Sequence, residues 1–247
     1  MATFTNFQEI LPNPTYGISY AGDSNVSNDG HSYGPGYSSV QLTSKQPVLK
    51  DMTNSGRLLA RTNTAHSWDI SISYNPMTRA EFEPVYAFLL QRLGALNPFY
   101  VSLPQYRNPK DTTFSAYNNS SQLEAAGTYA AGTTSILIGK AGYSNTSNGT
   151  PQPGDLFNID GSNSNHKKAY MITRVETSTD YQSGTTAPTS SQVRIHFTPG
   201  LQKAISTSDA FVFKNPLIRV VQSGDVQEYS LNTNNLYSFS LKLEEVQ

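Results

Sequence analysis

The stretch Trp68-Asp69-Ile70-Ser71-Ile72-Ser73-Tyr74 alternates apolar and polar residues without a break. Successive side chains of a strand point to opposite faces, so this pattern predicts a strand with one buried and one hydrated face. Asn75-Pro76 ends it, because Pro removes a backbone donor and restricts the residue before it. Thr78 with Glu81 then forms a capping box: the hydroxyl accepts from the Glu81 N–H and the carboxylate reaches back. Phe82, Val85, Tyr86, Leu89, Leu90 and Leu93 follow at helical spacing, which predicts a helix over 79–93 with Gly94 as its left-handed cap. Pro84 lies too far past the cap to be neutral, so the first turn is expected to be kinked or 3₁₀. Pro98-Phe99-Tyr100-Val101-Ser102-Leu103-Pro104 reads as a second strand.

The same cadence returns near the other end of the chain, in Tyr237-Ser238-Phe239-Ser240-Leu241-Lys242-Leu243, with Leu217 to Val221 as a further strand before it. Between them the composition changes. Ile136-Leu137-Ile138 lies between glycines, Leu156 to Asp160 lies between turns, and Ala169 to Val175, Val193 to Phe197 and Ala210 to Phe213 complete a series of short strands. Short strands at this spacing predict a small antiparallel barrel or sandwich. A nested organisation follows, with an outer β domain from 61–110 plus 215–247 and an insertion over 111–214. Residues 1–60 read as an extended N-terminal arm. Leu11-Pro12-Asn13-Pro14 excludes helix there, and Asp23 to Tyr37 is a Gly, Ser, Asn and Tyr loop.

Bulk properties narrow the function. With 17 Lys and Arg against 18 Asp and Glu, the chain has no cationic excess for a phosphate backbone, so nucleic acid is not an expected partner. Charged residues make up only 14%, yet 15 Tyr and 11 Phe set the chain apart from a disordered one. A neutral surface rich in Tyr and hydroxyl groups is one that partners cover at low desolvation cost. The absence of Cys removes disulfides and thiolate metal ligands. The first ten residues have neither a basic nor an apolar signal region, and no window approaches the ~20 apolar residues of a membrane span, so no membrane role is expected.

The search for chemistry finds no site. His31, His66, His166 and His196 stand at no metal-ligand spacing, and His196 should face away from Ile195 and Phe197. Glu81 and Glu83 suit a helix N-terminus, Glu244 and Glu245 point to opposite faces of a strand, and Asp155 and Asp160 occupy turn positions. None forms the facing pair a glycosidase needs. No nucleophile elbow, phosphate loop or dinucleotide fingerprint is present. The expectation is no catalytic residue, no cofactor and no metal.

Three stretches together resemble the minor tail, distal tail and baseplate proteins of tailed bacteriophages. They are Trp68 to Pro104, the segment from Pro153 through Lys168-Ala169-Tyr170 to Leu201, and the closing Tyr237 to Val246. The resemblance implies a mainly β protein: a tail-tube-like β-sandwich or barrel with one flanking helix and an inserted small antiparallel β-barrel. It also implies a non-enzymatic structural role in the virion tail after synthesis in the host cytoplasm. Partners would be other copies of the chain in a ring around the tail axis, with six among the candidate copy numbers, and neighbouring tail-tube or baseplate proteins. The arm, together with the edge near Phe99 to Tyr106, is expected to carry those contacts. Two other classes stay open: a carbohydrate-binding module using Trp68 and tyrosines, and a β-fold hydrolase.

Overall fold

In chain order the computed structural model has β1 (Tyr37–Lys45), β2 (Val48–Met52), β3 (Leu58–Thr62), β4 (Ser67–Tyr74), α1 (Arg79–Gln91), β5 (Phe99–Ser102) and α2 (Thr112–Asn118). Then come β6 (Leu123–Ala125), β7 (Ser135–Gly139), β8 (Leu156–Asp160), β9 (Tyr170–Glu176), β10 (Gln192–Thr198) and β11 (Ala210–Val212). The chain closes with β12 (Leu217–Gln222), β13 (Tyr229–Leu231) and β14 (Tyr237–Glu245). The structure describes residues 9–11, 37–62, 65–118, 122–160, 168–182, 186–207, 209–224 and 228–246. They divide into two units, Met1–Ser102 with Arg219–Gln247, and Leu103–Ile218. The fold is mainly β, with a closed barrel and a helix-backed sheet.

In the first unit the two alternating stretches are direct neighbours. β4 pairs antiparallel with β14, setting Ile72 opposite Leu241 and Ile70 opposite Leu243. The sheet runs β1-β4-β14-β12-β5, with β13 added along β14. Because opposed residues share a face, Trp68, Ile70, Ile72 and Tyr74 are buried together with Phe239, Leu241 and Leu243. The buried residues of α1 are Phe82, Val85, Phe88 and Leu89. Phe82 stacks on Tyr237 at 4.6 Å, and Phe88 meets Phe99 edge-on at 5.4 Å.

Helix α1 begins as the sequence dictates, with the Glu81 carboxylate accepting from the Thr78 N–H at 2.8 Å. Pro84 lies inside the helix without ending it. At the first turn the Thr78 carbonyl accepts from both Glu81 (3.1 Å) and Phe82 (3.0 Å), a 3₁₀ bond beside the α bond of the kind common at helix ends. The helix stops at Gln91, two residues earlier than its apolar spacing suggests, and the left-handed turn takes both Leu93 and Gly94.

The second unit holds the closed barrel β10-β7-β6-β11-β8-β9. Phe157 is its aromatic centre, within 5.4 to 5.6 Å of Tyr170, Phe197, Phe211 and Phe213. Alternation fills it from every strand: Val193, Ile195 and Phe197 of β10 point in, with Ile136 and Ile138 of β7. The second helix, α2, was not anticipated. Asp111 starts it by accepting from the N–H groups of Thr113 (2.9 Å) and Phe114 (3.2 Å), which seats Phe114 in the barrel core.

Residues 37–60, assigned on sequence to an extended arm, form β1 and most of the β2–β3 hairpin. Residues 1–8 and 12–36 of that arm lie outside the described residues.

Candidate assembly surface

Two features of the first unit are incomplete as folded. The first is the hairpin β2–β3, whose strands pair with each other and with no third strand among the described residues. Its turn closes through Thr53, whose carbonyl accepts from the Gly56 N–H at 2.8 Å and whose hydroxyl accepts from the Arg57 N–H at 3.0 Å. Gly56 sits at φ 79°, a left-handed conformation that costs a glycine nothing. Opposed residues share a face, so the register sets Met52 with Leu58 and Val48 on one face, and Leu49 with Leu59 on the other. Both faces are open: Leu49 is 68% exposed, Met52 66% and Leu58 60%. A soluble hairpin normally hides one face. This one hides neither.

The second feature is the outer edge of β1. Sheet edges expose unpaired N–H and C=O groups that template another strand unless something covers them. The opposite edge, at β5, is covered by the chain itself: Glu9–Leu11 runs alongside, with the Leu11 N–H donating to the Tyr100 carbonyl at 2.8 Å. Within the stretch Phe99 to Tyr106, where contacts are expected, the chain itself occupies the edge at Tyr100, and Phe99 and Val101 are buried. On the other side β1 pairs with β4 through its inner edge, and no strand among the described residues pairs with its outer one. β1 is nine residues long, and alternate residues direct their N–H and C=O groups to that edge.

The residues weighed for chemistry are placed otherwise. His66 is buried edge-on against Trp68 at 4.6 Å, its Nε2 2.9 Å from the Ser44 hydroxyl. Trp68 itself is buried and cannot stack on a sugar from the core. Glu81 caps α1, and Glu83 pairs with Arg79 one turn away. Glu245 is buried and accepts from the Trp68 N–H at 3.1 Å, while Glu244 lies on the opposite face near Lys45, at 3.8 Å. Asp155 accepts from the backbone N–H groups of Gln152 (2.8 Å) and Lys110 (3.0 Å). Burial pushes its carboxyl above the usual range, against those two donors. Asp160 is exposed at a strand end. His31 and His166 lie outside the described residues. Among the described residues no three His, Cys, Asp or Glu side chains converge as metal ligands.

One polar cluster was invisible in the sequence. Glu176, buried on β9, receives His196 Nε2 at 3.1 Å and Arg174 Nη2 at 3.1 Å, with Arg194 Nε at 3.8 Å. His196 does face away from Ile195 and Phe197, but it meets a carboxylate there. The exposed apolar surface also differs from expectation in kind. Tyr74, Tyr143 and Tyr170 are in the cores, and what stands open on the first unit is largely aliphatic: Val48, Leu49, Met52, Leu58 and Leu59 on the hairpin, then Leu90, Leu93 and Leu96.

Known proteins are similar to this chain in sequence. The family model for the N-terminal part of the A domain of distal tail protein pb9 matches residues 28–106, which include β1, the hairpin, β4, α1 and β5. The chain is also 28% identical over 220 residues to distal tail protein pb9 of Escherichia phage T5, covering 86% of this chain and 93% of that protein. The likeness to tailed-phage proteins thus extends through both units, well beyond the quoted cadences.

Proposed function

We propose that this chain, a phage distal tail structural protein by kinship, forms a ring of identical copies around the tail axis, joined through the β2–β3 hairpin and the open edge of β1. It resides in the virion tail. Its other contacts are with neighbouring tail-tube and baseplate proteins, it performs no catalysis, and six copies suit such a ring. In this reading the barrel is a separately folding insertion, approximately 111–214, carried by the domain built from 61–110 and 215–247.

The observation that carries the reading is the hairpin. A lone two-stranded ribbon is marginal in water. Each leucine moved from water into an interface returns about 1.5–3 kcal/mol, so this ribbon gains most when a neighbour covers it. The β1 edge lies three residues upstream of β2, and strand addition there would extend the sheet from one copy to the next. A scaffold assembled this way uses no titrating side chain, which fits the structural duties already held by Glu81, Asp155, Glu245 and His66.

The test is the double variant Leu49→Ser with Leu59→Ser. Both side chains are exposed, so circular dichroism should match the parent. Light scattering and electron microscopy should find rings or tail-incorporated copies for the parent and monomers for the variant. Rings of undiminished yield from the double variant would reject the hairpin as their basis.

A further inference from the structure

Resting on the ring reading above, we infer that in the ring the segment Glu9–Leu11 of each copy lies on β5 of a second copy of this chain, so that neighbours exchange N-terminal segments. The seat is built and filled in the structure. Glu9–Leu11 runs parallel to β5, with the Tyr100 N–H donating to the Glu9 carbonyl at 2.6 Å and the Leu11 N–H to the Tyr100 carbonyl at 2.8 Å. Leu11 is buried, at 3% exposure. Any copy of the chain can supply this occupant, because the contacts are the same.

Topology favours the neighbour. The sheet order β1-β4-β14-β12-β5 puts β1 and β5 at opposite edges. A head-to-tail ring joins two different patches, and a sheet continued from copy to copy joins its two different edges. The β1 edge of one copy then stands beside the β5 edge of the next. Glu9–Leu11 is linked to β1 through residues 12–36. From β1 the seat on its own copy lies across the whole sheet, about 19 Å away at the usual strand spacing. The neighbour's seat lies next to β1. A link of about 25 residues reaches either place at ~3.3 Å per residue, but a tethered segment is most concentrated close to its anchor. Exchange loses no contact, because the segment makes the same backbone bonds and buries the same leucine on either copy. Those contacts are few, so the segment can open locally and move. The β5 edge stays covered throughout, by the copy's own segment before assembly and by the neighbour's within the ring.

The chain has no cysteine, so introduced thiols report the pairing directly. Ile10 and Tyr100 are opposed in the parallel bridge, and Ser102 lies on the same face of β5 as Tyr100. The first variant is Ile10→Cys with Tyr100→Cys. The second, Ile10→Cys with Ser102→Cys, guards against one unfavourable substitution. Each is treated with a short bismaleimide. The soluble, unassembled chain should give an intrachain link, which also shows that the seat survives substitution. Rings in assembled tails should give a ladder of covalent multimers instead. Tails assembled from a mixture of chains carrying Ile10→Cys alone and Tyr100→Cys alone should give mixed dimers, which an intrachain seat cannot produce. Intact rings with only intrachain links, or with no link from either pair, would overturn the inference. So would the lack of any intrachain link from both pairs in the soluble chain, since the seat itself would then be absent. Tails in which microscopy finds no ring of this chain would instead remove the ring reading, and the exchange with it.

Discussion

Glu176 shows what a single residue does in the barrel. Its carboxylate is buried, yet two guanidinium groups and the His196 ring close over it from β9 and β10. Those groups are partly exposed, which reduces the value of each contact, but the carboxylate is shut away from water. Replacing Glu176 with Gln keeps the volume and leaves Arg174 and Arg194 facing each other without the anion. A loss of about 1–3 kcal/mol is expected, read from the shift of the urea midpoint. Tyr74 acts on stability through its proton. Burial, reinforced by the neighbouring Tyr37, holds its phenol pKa well above the ordinary value. In the unfolded chain the group ionises near about pH 10, while in the fold it stays neutral beyond that. The unfolded state then holds fewer protons, so stability complete below about pH 10 declines as pH rises toward the folded value. Urea midpoints should be level from about pH 7 to 9 and fall above about pH 10. Tyr74→Phe should make that fall shallower without abolishing it, because burial raises Tyr143 as well. An unchanged slope in the variant would assign the effect to other groups.

Among the elements, α1 shows how local chemistry fixes a boundary. Glu81→Ala removes the acceptor for the Thr78 N–H and hydroxyl, both at 2.8 Å, and should cost about 1 kcal/mol by chemical denaturation. That cap was legible in the sequence because it depends on two residues three apart. So were β4, β5, β12 and β14 of the sheet and the barrel strands β7 to β11, whose residues alternate because a single face is buried. β1 was lost because Val40 and Leu42 are its only aliphatic positions on the core side, set among Ser, Thr and Gln beside a Gly- and Pro-rich stretch. β2 and β3 were lost for the opposite reason. Val48-Leu49 and Leu58-Leu59 place apolar side chains on both faces, and a strand with two apolar faces carries no period-two signal. The short helix α2 has seven residues and begins on an Asp that reads equally as a turn. The missed elements near the assembly surface thus give weak patterns, β1 because only two of its residues serve the core and the hairpin because its apolar residues serve neither face alone. The clustering of His196 with Glu176 was out of reach because it depends on strand register, which residue order does not print.

The whole molecule is one chain with two cores. Phe157, Tyr170, Phe197, Phe211 and Phe213 belong to the core of Leu103–Ile218, and Ile70, Ile72, Phe82 and Leu241 to that of the other unit. The first core lies in a closed barrel, and the second lies under a sheet whose outer edge at β1 pairs with no strand among the described residues. If each core is a cooperative unit, heating should produce two transitions, each with its own midpoint. Phe157→Ala separates them. It removes a fully buried ring that touches four others, at a cost of about 3–5 kcal/mol, enough to lower the barrel transition strongly and leave the other in place. Leu241→Ala, at the Ile72 pair, should lower only the remaining transition, by about 2–5 kcal/mol. Calorimetry on the parent and the two variants reads all of this. A single transition displaced equally by both substitutions would mean that the cores melt as one, and the barrel would then be no separate domain.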